Sequence, residues 1–86
     1  MDAVLVDVIA GAIRGVSKRL QTVAITADSL LVEDLSLDSL DLVGVLMALE
    51  DHFGLTIELD EVPNIRSVAD LAAHLEMLRA GRASAA

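Results

Sequence analysis

The chain has 86 residues, 14 of them acidic against 6 basic, a net charge of −8 at pH 7 and no cysteine. A single domain of that size has a core only just large enough for stability, and its acidic surface repels nucleic acid phosphates while favouring cationic partners. Without cysteine there is no disulfide framework, no thiolate metal site and no thiol nucleophile, and with Phe53 as the only aromatic residue the chain is poorly equipped to stack on bases.

The opening stretch, "MDAVLVDVIAGAIRGVSKRL", is apolar, but Asp2, Asp7 and Arg14 interrupt it and no positive region precedes it, so it reads neither as a signal nor as a membrane segment. Leu5, Val8, Ile9, Ala12, Ile13, Val16 and Leu20 recur at steps of three and four, the spacing of one helical face. Lys18 and Arg19 fall where cations suit a helix C-terminus. The pattern predicts a core helix closing at about Leu20, in a cytoplasmic protein without membrane insertion.

From Gln21 to Leu37 no period persists, and Thr26, Asp28, Ser29, Asp34 and Ser36 are turn and cap formers. A loop this long in a small domain needs its own side chains to hold it, and Leu30, Leu31, Val32 and Leu35 are the expected pins. Helical spacing returns with Leu42, Val45, Leu49 and Phe53, and Asp41, Glu50 and Asp51 lie off that stripe. Asp38 is a suitable N-cap and Gly54 a suitable stop. "LTIEL" alternates, but one strand is no sheet, so it reads as an extended connector. Pro63 limits "DEVPNI" to a short helix. Ser67 and Asp70 have the spacing of a capping box before the last stripe, Val68, Leu71, Ala72, Leu75 and Leu78. The expected fold is all-α: a small four-helix bundle of three main helices and one short one, with a long first loop, forming one domain over 1–79 and a frayed tail over 80–86. Repulsion among the acids lowers its stability. Unfolding midpoints are therefore expected to rise from low to moderate salt in thermal melts, and a flat response would contradict this.

The chain has no GxGxxG, no GxxxxGK[ST] and no HExxH, and His52 and His74 stand alone on separate predicted helices. Asp34, Ser36 and Asp38 occupy the first, third and fifth positions of a calcium-loop spacing, but Ser39 replaces the required glycine and Val45 the bidentate glutamate. No metal site is expected. There remains "LSLDSLDLVG" at 35–44. With Asp38 as N-cap, Ser39 is the first helical residue, and its hydroxyl projects where free amides and the helix dipole favour an anionic oxygen substituent such as a phosphoester.

The segment "LVEDLSLDSLDLVGVLMALEDHFGLTIELDEVPNIRSVADLAAHL", more than half of the chain, resembles the acyl carrier proteins. The resemblance centres on "DSL" at Asp38, Ser39 and Leu40, with "VEDL" before it, "MALEDHFG" after it and "SVADL" later in register. It implies an acyl carrier protein-like bundle in which Ser39 bears 4′-phosphopantetheine, attached covalently from coenzyme A by a phosphopantetheinyl transferase. The arm would end in a thiol that holds acyl groups as thioesters, and the protein would be a carrier and no enzyme. Asp38, Leu40, Asp41, Met47, Glu50 and Asp51 match the face that such carriers present to the basic patches of acyl-transfer and synthase enzymes. Leu42, Val45, Leu49, Ile57, Ile65, Ala72 and Leu75 match the apolar lining between whose helices an acyl chain can slide, although core packing accounts for the same residues.

Three positions depart from the family pattern: Ser36 stands for a glycine, Leu37 for a small residue, and Gly44 for a glutamate on the recognition helix. Fatty acid, specialised lipid, polyketide and aminoacyl pathways thus all remain open. The chain is expected to act as a discrete monomer. The competing reading is an unmodified acidic helical adaptor that binds basic proteins, and Ser39 within "DSL" speaks against it.

Overall fold

The computed structural model describes the backbone of residues 3–58 and 64–85. Three helices, α1 (Ala3–Val16), α2 (Ser39–Phe53) and α3 (Val68–Ala85), and a 3₁₀ turn over Lys18–Leu20 make up its regular structure among those residues. The short helix expected over "DEVPNI" falls largely on residues 59–63, outside the described ones. Leu55 to Glu58 form no strand, in keeping with a connector.

Helix α1 turns Leu5, Ile9 and Ile13 inward, as the period predicts, and Ala10 with them, which it does not; the helix ends at Val16 and not at Leu20. Ser17 leaves the helix at φ −121°, ψ 102°, while its amide still donates to the Ile13 carbonyl at 2.9 Å. Gly15 lies just before the break, and serine offers the backbone alternative bonds, so local propensity favours a stop there. The 3₁₀ turn then carries Leu20 back into the core, where it is buried. Lys18 and Arg19 consequently lie beyond the helix whose end they were expected to complement.

The core joins Leu5, Ile9 and Ile13 of α1 to Val45 and Leu49 of α2, Val68, Leu71 and Leu75 of α3, and Leu31 and Leu35 of the loop. Of the four expected pins, Leu31 and Leu35 are buried and Leu30 half-buried, but Val32 is 55% exposed. Leu37 takes its place in the core. The loop also donates structure to α3: the amides of Val68 and Ala69 bond the carbonyls of Ser29 (3.0 Å) and Ala27 (2.8 Å), and the Leu31 amide bonds the Arg66 carbonyl at 2.8 Å. Two amides of the first turn of α3 thus find acceptors outside the helix.

Helix α1 packs against both α2 and α3. Where α1 meets α2, a β-carbon on Gly44 would lie 3.3 Å from Cγ2 of Val16. Gly44 therefore marks a close approach of two helices, and its lack of a side chain is first of all a packing feature. At its far end α3 continues through Ala85.

The capping box at the start of α3 forms as the spacing predicts. The Asp70 amide donates to Ser67 Oγ at 3.1 Å, and Asp70 Oδ2 accepts from the amides of Ser67 (3.1 Å) and Arg66 (3.0 Å). The Arg66 amide first, then that of Ser67, holds the Asp70 carboxyl below its ordinary 3.8. A depressed native pKa stabilises the fold above the ordinary carboxylate range, and that stabilisation is lost as pH falls through the native pKa. Asp70→Asn is thus expected to cost about 0.3–1 kcal/mol at neutral pH. The gap from the parent should close below pH 3.8, and a gap in melting temperature that stayed constant from pH 7 into that range would contradict the assignment.

Candidate functional site

The site is built from the end of the long loop and the start of α2. Residues 30–35 make a single helical turn, in which the amides of Asp34 and Leu35 both reach the Leu30 carbonyl at 3.0 Å. The side chain of Asp34 closes its beginning by accepting from the Leu30 amide at 2.8 Å. At its end the Ser36 amide donates to the Val32 carbonyl (2.9 Å) and the Leu37 amide to the Leu31 carbonyl (3.0 Å), a nested pair of bonds that closes the turn one residue wider than a Schellman motif does.

The chain leaves this turn through a left-handed residue, Ser36 at φ 55°, the one non-glycine with positive φ among the described residues. For a residue with a β-carbon this conformation costs about 1–2 kcal/mol. Arg19 offsets the cost. Its Nη2 donates to the Leu35 carbonyl at 2.8 Å and the Ser36 carbonyl at 2.9 Å, the last carbonyls of the turn, where a cation is electrostatically favoured.

Leu37 then plugs into the core and Asp38 begins α2 in extended conformation. The capping box is reciprocal: the Asp41 amide donates to Asp38 Oδ1 at 2.8 Å, and the Asp38 amide to Asp41 Oδ2 at 3.2 Å. Between these two carboxylates stands Ser39, exposed, as the first residue of the helix. Its amide and that of Leu40 have no preceding carbonyl of the helix to bond. Chemically, this is an accessible hydroxyl at a positively polarised helix end, on a backbone fixed from both sides.

The residues expected to meet partners divide. Leu40 is 80% and Met47 62% exposed, and Asp38 and Asp51 are exposed. Val43, between the two apolar residues at helical spacing, is also exposed and completes a stripe of Leu40, Val43 and Met47. The spacing of 40, 43 and 47 was the signal for it. Asp41 is half-buried within the capping box. Glu50 is half-buried too, and its Oε2 accepts from the Ile57 amide at 2.8 Å, so it ties the connector to α2.

The seven residues of the expected acyl lining do come together. Val45, Leu49, Ile57, Ala72 and Leu75 belong to the buried core, and Leu42 and Ile65 pack against it. An open groove of about 270 Å³ lies elsewhere, on the outer side of α3, lined by Asn64, Ile65, Asp70, Ala73, His74 and Met77. It shares Ile65 with that set. Of the two histidines, His52 is exposed and stacks edge-on against Phe53 at 4.7 Å, and His74 is half-buried in α3. Among the described residues no three His, Cys, Asp or Glu side chains are grouped so as to hold a metal ion, and no helix is long and apolar enough to cross a membrane.

Comparison with known proteins gives this geometry its context. Residues 7–75 match the family model described as phosphopantetheine attachment site. The acyl carrier protein of Akkermansia muciniphila is 40% identical over 55 residues, 64% of this chain and 69% of that protein. That of Campylobacter hominis is 42% identical over 55 residues, 64% and 70% of the two chains. A solved structure titled as an acyl carrier protein from Mycobacterium tuberculosis superposes with a TM-score of 0.76 at 30% identity, covering 85% of this chain and 96% of that one. A family match over most of its length, with the fold to go with it, shows that the chain belongs to the acyl carrier proteins, non-catalytic carriers with a phosphopantetheine attachment site.

Proposed function

We propose that Ser39 is the residue that takes 4′-phosphopantetheine, and that the chain presents acyl groups on that arm to biosynthetic enzymes of fatty acid, specialised lipid or polyketide synthesis. The observation that carries this is the exposed hydroxyl at the first position of α2, within the span that matches the attachment-site family. The site fits the group. The amides of Ser39 and Leu40 polarise the helix end toward a phosphodiester, and Ser39 and both its neighbours are exposed. In the transfer, Ser39 Oγ loses its proton to the transferase and bonds to the phosphorus, while the bond to the nucleotide half of coenzyme A breaks. The bound arm supplies the thiol chemistry that a cysteine-free chain lacks.

The chain's own residues do the rest. Asp38 and Asp41 fix the helix start, and the exposed Leu40, Val43 and Met47 offer a dry patch beside Ser39. Asp51 and the overall negative charge draw in the basic face of a transferase or synthase, which speeds encounter and permits release. The aliphatic core that includes Leu42, Val45, Leu49, Ile57, Ile65, Ala72 and Leu75 is the space into which a long acyl chain would slide. Core methyl NMR shifts should then change on long-chain acylation, and unaltered shifts would rule sequestration out. We place the protein in the cytoplasm, acting as a monomer.

The test of the carrier reading is intact mass after incubation with coenzyme A and a broad-specificity transferase. The parent chain should gain one phosphopantetheine and Ser39→Ala none. A parent chain that stays unmodified would instead support the acidic adaptor.

A further inference from the structure

We propose that Arg19 is a positioning residue for the modification of Ser39, acting through Ser36. This rests on the reading of Ser39 as the attachment point. Where the family pattern has a glycine this chain has Ser36, in a left-handed conformation at φ 55°, and the guanidinium of Arg19 stands on the two carbonyls that flank that residue. One nitrogen, Nη2, donates to both, Leu35 O at 2.8 Å and Ser36 O at 2.9 Å.

Consecutive carbonyls converge on one donor only when the residue between them is in a helical conformation of either hand, since in extended chain they point to opposite sides. The positive φ of Ser36, 55°, shows that the hand here is the left. Arg19 therefore holds both dihedrals of Ser36. With a charged donor, these bonds are stronger than neutral ones.

The effect reaches Ser39 because nothing flexible intervenes. Leu37 is buried and Asp38 is locked into the capping box, so a change at Ser36 must displace the Leu37 plug or the start of α2. Arg19 comes from the 3₁₀ turn that follows the early end of α1, which gives that break a use. Had α1 continued to Leu20, Arg19 would lie on a helical turn and not in the segment that now crosses to the loop. Glycine at position 36 would make the clamp unnecessary. Here, a contact from a distant segment replaces the conformational freedom of one residue.

The experiment measures the initial rate of phosphopantetheine transfer at saturating coenzyme A, varying the carrier, for the parent, Arg19→Ala, Ser36→Gly and the double variant, with melting temperatures in parallel. Arg19→Ala should lose about tenfold in kcat/KM, mostly through KM, as expected for one charge-assisted contact. In the Ser36→Gly background the same substitution should change the rate less than about twofold. Ile9→Val, which weakens the core at a distance, controls for lost stability and should react like the parent. If Arg19→Ala does not fold, Arg19→Gln takes its place, with slowing that Ser36→Gly again removes. Parent-like rates in the Arg19 variants, or slowing that survives Ser36→Gly, would overturn the clamp while leaving Ser39 as the acceptor. A parent chain that takes no group at all would overturn both.

Discussion

Leu49→Ala should unfold a large fraction of the protein at temperatures where the parent is fully native. Leu49 is 1% exposed and lies in the shared core with α1 and α3 residues. Truncating such a leucine removes its transfer free energy and leaves a cavity that the surroundings only partly fill, about 2–5 kcal/mol in all. A small domain has little more than that to lose. Chemical denaturation followed by circular dichroism should show a midpoint shifted far down with an unchanged slope. A shift worth less than about 1 kcal/mol would mean that the three helices do not share the tight core described.

Leu40→Ala, nine positions earlier on the same helix, should do the opposite. Leu40 is 80% exposed, so its removal changes stability by no more than about 0.5 kcal/mol. It also stands next to Ser39 at the head of the exposed stripe with Val43 and Met47, where a partner would desolvate it. An apolar anchor in the middle of an interface is commonly worth about 2 kcal/mol or more, close to thirtyfold. The rate of transferase modification at low carrier concentration should fall by about that factor with the melting temperature unchanged. Equal rates for Leu40→Ala and the parent would remove this stripe from the partner surface. The pair of substitutions separates the buried and exposed faces of one helix by which measurement each one moves.

What could be read from the sequence was what depends on near neighbours. The inward stripes of α1, α2 and α3, the Asp38 N-cap, the Gly54 stop and the Ser67–Asp70 box all involve residues within a few positions of each other, and each appears in the structure. What could not be read depends on distant contacts. Arg19 looked like a helix-end cation, and its actual partners lie 16 and 17 positions away. Glu50 looked like a surface acid because nothing in its own helix announces that the Ile57 amide will return to it. Gly44 looked like a missing glutamate until α1 was placed against it, with Val16 at the contact. Val32 and Leu37 exchanged roles because the turn over 30–37, invisible to a search for periodicity, sends one outward and the other into the core.

For the attachment site the distinction matters in the same way. Local chemistry alone offers several hydroxyls in the same region, among them Ser29, Ser36 and Ser39. The fold sorts them. Ser29 lends its carbonyl to α3 and its hydroxyl to the Thr26 amide, and Ser36 carries the left-handed turn. Ser39 alone of the three opens a long helix. Fragmentation mass spectrometry of the transferase-treated chain tests this most directly, because it assigns the added group to a residue. One phosphopantetheine per chain is expected, all of it on Ser39. The group found on Ser36, on Ser29 or on a Ser39→Ala chain would contradict it.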